Sequence, residues 1–557
     1  MTQQSQPEPQ LLNGQSGLPV ANPTKSYWHK EPSAQLLGHR TTSELPRSAD
    51  VAIVGSGITG AFAAHFLREK RPDLNIVMVE AREACWGATG RNGGHCQPAM
   101  YMPLPHIASF ELRTFSFLKN LVEEYSIPCD WHSTSGVHAY YSAELFALAR
   151  GKVAALTDKY PDLAANVAIV TKGEGGSPPW LLAGERKEFT LEGLRVPNAE
   201  GAIVQWNAAS LWPYKLVAFV LERLLAANTD DSAEGKGGSF NLQTNTPVTG
   251  LTKTEAPPSY LRNPPDSRSH AKTTWTLHTP RGTLTAPQVL LATNAYTSHL
   301  LPSLADLLLP TRGQVSSLKP PSPSPSPSPS SRDTTTDTPP VDIGHTFYIM
   351  GEPTSTFSRD DYLIQRPPLT GGELVFGGGR QHARGRGLGV WDDSTIDEPV
   401  AWYLRGELGG VVDLSSSSSS SSSSPGPEGK GQHIRKQDLE PTHEWTGIMG
   451  YTRDGRPLVG RVPESLGGDD NSNNNGGGGD GLWLCAGYTG HGMPNAALCA
   501  KAVVDMMCAP AGDGGVEIDL PPEYELTPER VARARLVDEV AAVDAKGSLW
   551  ADFGMEG

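Results

Sequence analysis

Short runs that are apolar at every position organise this chain, and several of them end at glycine. Val51–Val54 and Ile76–Val79 have this pattern, as do residues 289–292 and 482–486. Uninterrupted apolarity over four or five residues is the pattern of strands buried on both faces, as in a parallel sheet covered by other layers. Between the first two runs, residues 61–68 repeat at helical spacing, and so do 216–227 and 496–507. Other segments alternate. Thr273–Thr279 and residues 283–286 flank Pro280-Arg281-Gly282 and predict a hairpin, while 362–365 and 374–377 predict further strands of an antiparallel sheet. Near the far end, Thr527 followed by Pro528 predicts a helix start, with Thr527 as N-cap.

Five polar stretches interrupt this pattern: 228–238, 255–272, 319–340, the ten serines 415–424, and 467–481. They lack the apolar content to offset their own ordering entropy. They fall between patterned segments, so they read as expanded surface loops rather than domain boundaries. They also account for much of the low hydrophobic content of 38% over 557 residues, a length that predicts two or more domains.

A net charge of −15 with no basic cluster opposes nucleic-acid and anionic-membrane partners. The first twenty residues lack the charged start and apolar core of a signal peptide. No apolar run approaches transmembrane length, so the cytoplasm is the expected compartment. Six scattered cysteines form no CxxC pair and no zinc-ligand spacing, and no metal site is expected.

The first two apolar runs frame a glycine pattern. Gly55, Gly57 and Gly60 stand at G-x-G-x-x-G spacing directly after 51–54, and Glu80 closes the second run. Gly55 permits a tight turn, Gly57 a close approach of backbone to a diphosphate, and Gly60 close packing of helix on strand. The helix start, with Ile58 and Thr59, offers N–H groups and a dipole to negative charge. Glu80, at the distance expected of a ribose-binding acid, is followed by Ala81 and Arg82. A dinucleotide site is the expectation.

Two later clusters favour a flavin over a nicotinamide. Ala88, Thr89, Arg91, Asn92, Gly93 and Gly94 form a small-residue loop whose amides can lie against a flat ring, and Arg91 can face a phosphate or the ring's electron-rich edge. Gly487, Tyr488, Gly490, His491, Gly492 and Met493 follow the run 482–486 and precede a second helix. A helix start at that place would stabilise the negative charge a reduced flavin gains. An NAD(P)-dependent dehydrogenase has no obvious place for this last loop. A flavin-binding scaffold without catalysis, or a regulatory protein, is the other alternative.

The motifs DVAIVGSGITG, VEAREACWGATGRNGGH, VLLATNAY, EWTGIMGYTRDGRPLVG and GLWLCAGYTGHGM, in this order, resemble those of the D-amino-acid-oxidase-like FAD-dependent oxidoreductases. GATGRNGG and residues 445–450 are most similar to the γ-glutamylputrescine oxidoreductase-type branch. The resemblance implies an α/β fold class: a discontinuous Rossmann-type FAD-binding domain plus an α+β substrate domain with an antiparallel sheet. The FAD-binding pieces are expected at 45–125, 206–300 and 444–512, and the substrate-domain pieces at 126–205 and 301–443, with inserts at 319–340 and 415–432. An N-terminal segment covers 1–44, and a C-terminal tail with a helix covers 513–557. The resemblance also implies that Val248 touches adenine, that Thr293 lines the cofactor site, and that 487–493 covers the pyrimidine edge. Some relatives attach FAD to a cysteine within 447–451. None stands there, so noncovalent FAD is expected.

The implied chemistry is oxidation of an amine or amino-acid C–N bond by hydride transfer to flavin N5, then imine hydrolysis. Molecular oxygen or another acceptor takes the electrons. His491 and His95 are the candidate proton acceptors because both sit in ring-facing loops, although either can simply satisfy loop carbonyls. His95 stands where relatives carry glutamine. Arg312, Arg366 and Arg380 are the candidate clamps for a substrate carboxylate, beside Tyr348 or Tyr362. Tyr27 and Trp28 anchor the N-terminal segment or cover the entrance.

Overall fold

Parallel pairing of the apolar runs builds the first sheet. In this computed structural model the described residues are 11–173, 190–231, 237–255, 273–321, 341–353, 359–368, 371–415, 438–468, 481–509 and 519–537. Six strands lie in the order Leu458–Arg461, Gly481–Ala486, Gln288–Leu291, Val51–Val54, Ile76–Val79, Phe240–Gln243. All neighbours are parallel except Leu458–Arg461, which runs antiparallel to Gly481–Ala486. Ile53 stands between Met78 and Leu290 in register.

Burial on both faces explains the unbroken apolarity. Ile53, Met78 and Leu290 join a core with the helices Ile58–Lys70, Pro213–Asp231 and Ala496–Cys508. Their neighbours Val54, Val79 and Leu291 face the opposite way, into a core with Trp275, Leu277 and Leu284. Those three belong to a three-stranded antiparallel sheet, Gly282–Ala286, Thr273–Thr279 and Gly250–Glu255, whose first two strands form the expected hairpin.

The second sheet has nine strands. Its main path runs Pro441–Thr452, Leu308–Leu318, Leu374–Gly378, Asp360–Gln365, Thr346–Met350, His132–Tyr140, Gly201–Ser210, His95–Cys96, with Val167–Thr171 also pairing on Gly201–Ser210. It is antiparallel apart from the parallel pair His132–Tyr140 and Thr346–Met350. The helix Glu398–Val411 covers one face through Val400, Leu404 and Leu408, packed on Phe347, Ile349, Leu363 and Phe376. The other face carries Tyr348 and Tyr362. Together these layers form the expected mixed α/β class with an antiparallel sheet beside a Rossmann-type one.

The chain passes between the sheets at points the sequence pattern did not mark. His95–Cys96 pairs with Gly201–Ser210 in the second sheet, and Pro441–Thr452 forms that sheet's edge. The helix starting at Pro213 continues to Asp231, into the stretch read as loop, where Asn228 bonds both backbone groups of Phe240. Residues 256–272, 322–340, 416–424 and 469–480 lie outside the described residues, and so do 538–557. The helix beginning at Pro528 forms as expected, with Thr527 accepting from Arg530 N.

Candidate active site

The strands of the first sheet end at one cavity of about 450 Å³, whose far wall is the second sheet. Residues 54–59, 79–82, 292–296 and 488–495 follow four of those strands and line it, together with Gln314, Tyr348, Tyr362 and Tyr451. Ligands of open α/β sheets bind outside the carboxyl ends of the strands, which is where this space lies.

The glycine turn is built by steric necessity. Gly55 has φ +104, and a Cβ there would lie 2.7 Å from the Ala292 carbonyl oxygen. A Cβ on Gly60 would lie 2.0 Å from the Gly55 carbonyl oxygen, so Gly60 lets the helix sit on the strand and does not itself line the cavity. Glu80 is fixed by three donors. Its Oε2 accepts from Ser56 N at 3.0 Å and Ser56 Oγ at 2.7 Å, and its Oε1 accepts from Arg82 N at 2.9 Å.

Positive charge is buried in the same wall. Arg82 Nη1 donates to both oxygens of Asp393 at 3.0 Å, and Arg91 Nε lies 3.2 Å from the same carboxylate. All three side chains are buried. Two guanidinium groups facing one carboxylate leave one surplus positive charge. Arg91 Nη1 finds no partner among the described residues, and burial pushes the Arg91 guanidinium down to about 10. An orphaned cationic donor in a cavity wall fits an anionic ligand.

The loop 88–94 differs from its expected role in part. Ala88, Thr89, Arg91, Asn92 and Gly93 line the cavity, and Thr89 Oγ1 accepts from Ile58 N at 3.1 Å. Gly94 does not line it. A Cβ on Gly94 would meet Ile364 Cδ1 at 2.7 Å and the Trp28 ring at 2.8 Å, and one on Gly93 would meet the Tyr362 ring at 2.3 Å. Contact with other parts of the chain therefore requires small residues here, whatever lies in the cavity. Gly487 likewise turns the chain at φ +80 behind the cavity, while Tyr488, Gly490, His491, Gly492 and Met493 line it. Val248, Thr293, Ile58, Thr59 and Ala81 line it as well. Val248 stands in the connection between Phe240–Gln243 and Gly250–Glu255.

At the other end His491, His95 and Arg380 face the same space. His491 Nε2 lies 2.9 Å from Glu111 Oε2. Glu111 also accepts from Ala99 N at 2.7 Å and Asn495 Nδ2 at 3.1 Å, and Asn495 Oδ1 accepts from Tyr524. His95 lies between Tyr348 and Tyr362, ring centroids 5.5 and 5.7 Å away, and its Nε2 is buried without a partner among the described residues. Burial pushes the His95 imidazole down to about 3, so it stays neutral. Arg380 pairs with Asp360 and donates to Tyr451 Oη at 2.7 Å.

The two other arginines are elsewhere. Arg312 donates to the Asp392 carbonyl and to Thr395, and stands outside this cavity. Alternation along the strand sends Arg312 the same way as Gln314, toward Asp397: Arg312 Nη2 lies 3.9 Å from its carboxylate, and Gln314 bonds its backbone N and O at 2.7 and 3.2 Å. Arg366 is wholly buried, paired with Asp130 at 2.5 Å beneath Trp28 and Trp212.

Sequence reasoning missed Glu111, Asn495, Asp393, Gln97 and His138. Glu111 had a visible signal. It shares one helical face with Ile107, Phe115 and Leu118 in Pro105–Tyr125, so a carboxylate stands in an apolar stripe. Gln97 and His138 line the cavity and bond each other at 2.7 Å, with Tyr101 Oη on His138 Nδ1 at 2.6 Å and Thr346 on Gln97. Among the described residues no group of three His, Cys, Asp or Glu is arranged to hold a metal, and no helix is long and apolar enough to cross a membrane.

Residues 50–506 match the family described as FAD dependent oxidoreductase, DAO. A probable oxidoreductase, OrdL, of Rhizobium meliloti (strain 1021) is 22% identical over 488 residues, covering 83% of this chain and 83% of that protein. Among solved structures, glycine oxidase from Geobacillus kaustophilus superposes with a TM-score of 0.54 at 18% identity, over 86% of this chain and 99% of its own. L-proline dehydrogenase from P. horikoshii gives 0.54 at 16% identity, over 88% and 99%.

Proposed function

Because the chain belongs to the DAO family of FAD-dependent oxidoreductases, we propose that it oxidises the C–N bond of a small amine or amino acid. The observation that carries this reading is the continuity of one cavity, which joins the Gly55–Gly57 turn and the Arg82–Arg91 wall to the Glu111–His491 pair and Arg380. An enzyme that moves a hydride between a small substrate and a large cofactor needs both in one water-poor space. A purely cofactor-holding protein needs no such second compartment.

The residues present fit FAD. The helix start at Ile58, the surplus charge of Arg82 and Arg91, and the close-approach turn suit its diphosphate, with Glu80 and Val248 toward the adenosine end. None of the six cysteines lines the cavity, which supports noncovalent binding. Bound FAD supplies the two-electron acceptor for the C–H bond beside the substrate nitrogen. His491 takes the proton of the substrate ammonium at Nδ1, because Nε2 donates to Glu111, which stabilises the resulting imidazolium. His95, kept neutral by burial, hydrogen-bonds a polar group without adding charge. Arg380 orients a substrate carboxylate where one is present, with Asp360 and Tyr451 holding the guanidinium in place. The imine then hydrolyses, and oxygen or another acceptor removes the electrons. GATGRNGG and residues 445–450 favour the γ-glutamylputrescine-type branch.

The test is anaerobic mixing of the purified yellow protein with a panel of amines and amino acids. Bleaching of the flavin absorbance by a member of the panel is the expected result, and readmitted air then separates oxidase from dehydrogenase. A protein that retains FAD and bleaches with no amine overturns the reading.

A further inference from the structure

The family match begins at residue 50, yet the segment before it reaches the cofactor wall. Leu18 and Pro19 line the cavity directly. Three alternate residues farther along each bond one residue of the loop 90–92. The Thr24 carbonyl and Oγ1 accept from Arg91 Nη2 at 2.5 and 2.6 Å, Ser26 Oγ donates to the Gly90 carbonyl at 2.8 Å, and Trp28 Nε1 donates to the Asn92 carbonyl at 2.6 Å. We infer that this N-terminal segment is part of the cofactor site, with Thr24 the positioning residue that aims Arg91 at negative charge on FAD.

The donor geometry of one guanidinium carries the argument. Arg91 Nε donates to the Thr446 carbonyl at 2.6 Å, and both hydrogens of Nη2 are taken by Thr24. A planar fork held on two sides presents its third nitrogen, the unpartnered Nη1, in one direction only. Thr24 is itself fixed. Its N donates to the Asp393 carbonyl at 2.8 Å, and its Oγ1 accepts from Thr446 N at 3.0 Å. The same threonine thus joins the arginine to the strand Pro441–Thr452 and to the loop that carries the counter-carboxylate. Thr24 does not line the cavity and acts through Arg91.

This inference rests on the reading of Arg91 as a cofactor ligand, and the experiment separates the two. Full-length protein stripped of flavin is titrated with FAD for wild type, Thr24→Val, Thr24→Ser, Arg91→Met and the double variant Thr24→Val/Arg91→Met. Thr24→Val removes one acceptor from a charged donor and is expected to weaken FAD binding about tenfold. Thr24→Ser is expected to stay within about twofold of wild type, since the hydroxyl is kept. In the Arg91→Met background, Thr24→Val is expected to cost nothing more, because coupled residues are non-additive. An unchanged Thr24→Val beside a weakened Arg91→Met overturns the role of Thr24 and leaves that of Arg91 standing. An equal loss from Thr24→Val in both backgrounds overturns it too, as a merely structural effect. Wild-type affinity in Arg91→Met overturns the underlying reading of Arg91.

Discussion

Glu111 Oε2 and His491 Nε2 meet at 2.9 Å across 380 residues of sequence, on the wall of the cavity at the carboxyl ends of the first sheet. The carboxylate is pinned by Ala99 N and Asn495 as well, so it cannot swing away from the imidazole. Glu111→Gln keeps the shape but removes the charge that supports a protonated His491. Anaerobic flavin reduction by a good amine substrate is expected to slow by about tenfold to a hundredfold, with the pH dependence of that rate displaced. Stopped-flow traces over a pH series check this, and an unchanged profile removes the pair from the mechanism.

Gly57 faces the cavity at the helix start, and a Cβ there would sit 3.1 Å from Thr89 Oγ1. Gly57→Asp adds bulk and a negative charge where the diphosphate is expected. The purified variant is predicted to be colourless while melting cooperatively. Full flavin occupancy, read from the visible spectrum, would contradict the placement.

Arg380 bonds Asp360 and Tyr451 Oη, so its charge is already shared before any substrate enters. For an amino-acid substrate, Arg380→Lys is expected to raise KM by about tenfold or more with a smaller change in kcat, because a bidentate fork becomes a point charge. The matching amine without a carboxylate should be spared. Equal losses on both members of such a pair would show that Arg380 does not read the carboxylate.

Acid should loosen the fold. Burial pushes His29, His95 and His138 down to about 3 from an ordinary 6.5. Their stabilisation is present above pH 6.5 and lost as pH falls toward 3, because only the unfolded chain takes up their protons in that window. Asp361 works in reverse: burial raises it to about 7 from 3.8, so its contribution is full below 3.8 and lost as pH rises through 7. Between pH 4 and 6 the three imidazoles outweigh the one carboxyl, and stability should climb with pH by about 1.4 kcal/mol per unit for each net proton. Urea midpoints across this range test it. Asp361→Asn should steepen the slope and His138→Gln should flatten it, whereas a flat wild-type profile refutes the assignment.

Much of the first sheet was legible because its strands are buried on both faces, and local sequence alone records that. Val51–Val54, Ile76–Val79 and the turn at Gly55 needed no partner to be recognised. The second sheet was harder to read. Leu308–Leu318 contains Pro310 and Gly313, and Pro441–Thr452 starts with proline and includes two glycines, so neither looks like a strand until the two are paired. The cavity's polar residues were hidden for a related reason. Glu111 and His491 acquire meaning only from each other, and no local pattern encodes a contact between distant segments. Gly93 and Gly94 were read as clearance for a ring, whereas Tyr362 and Trp28 already demand that clearance.

The strand Gly481–Ala486 is inserted between Gln288–Leu291 and Leu458–Arg461, so the first sheet remains split until residue 486 has been synthesised. Residues 1–480 must therefore be made while the nucleotide-binding crevice is unfinished. Such late closure leaves the interior of the half-built sheet open to chaperones or to aggregation in the meantime.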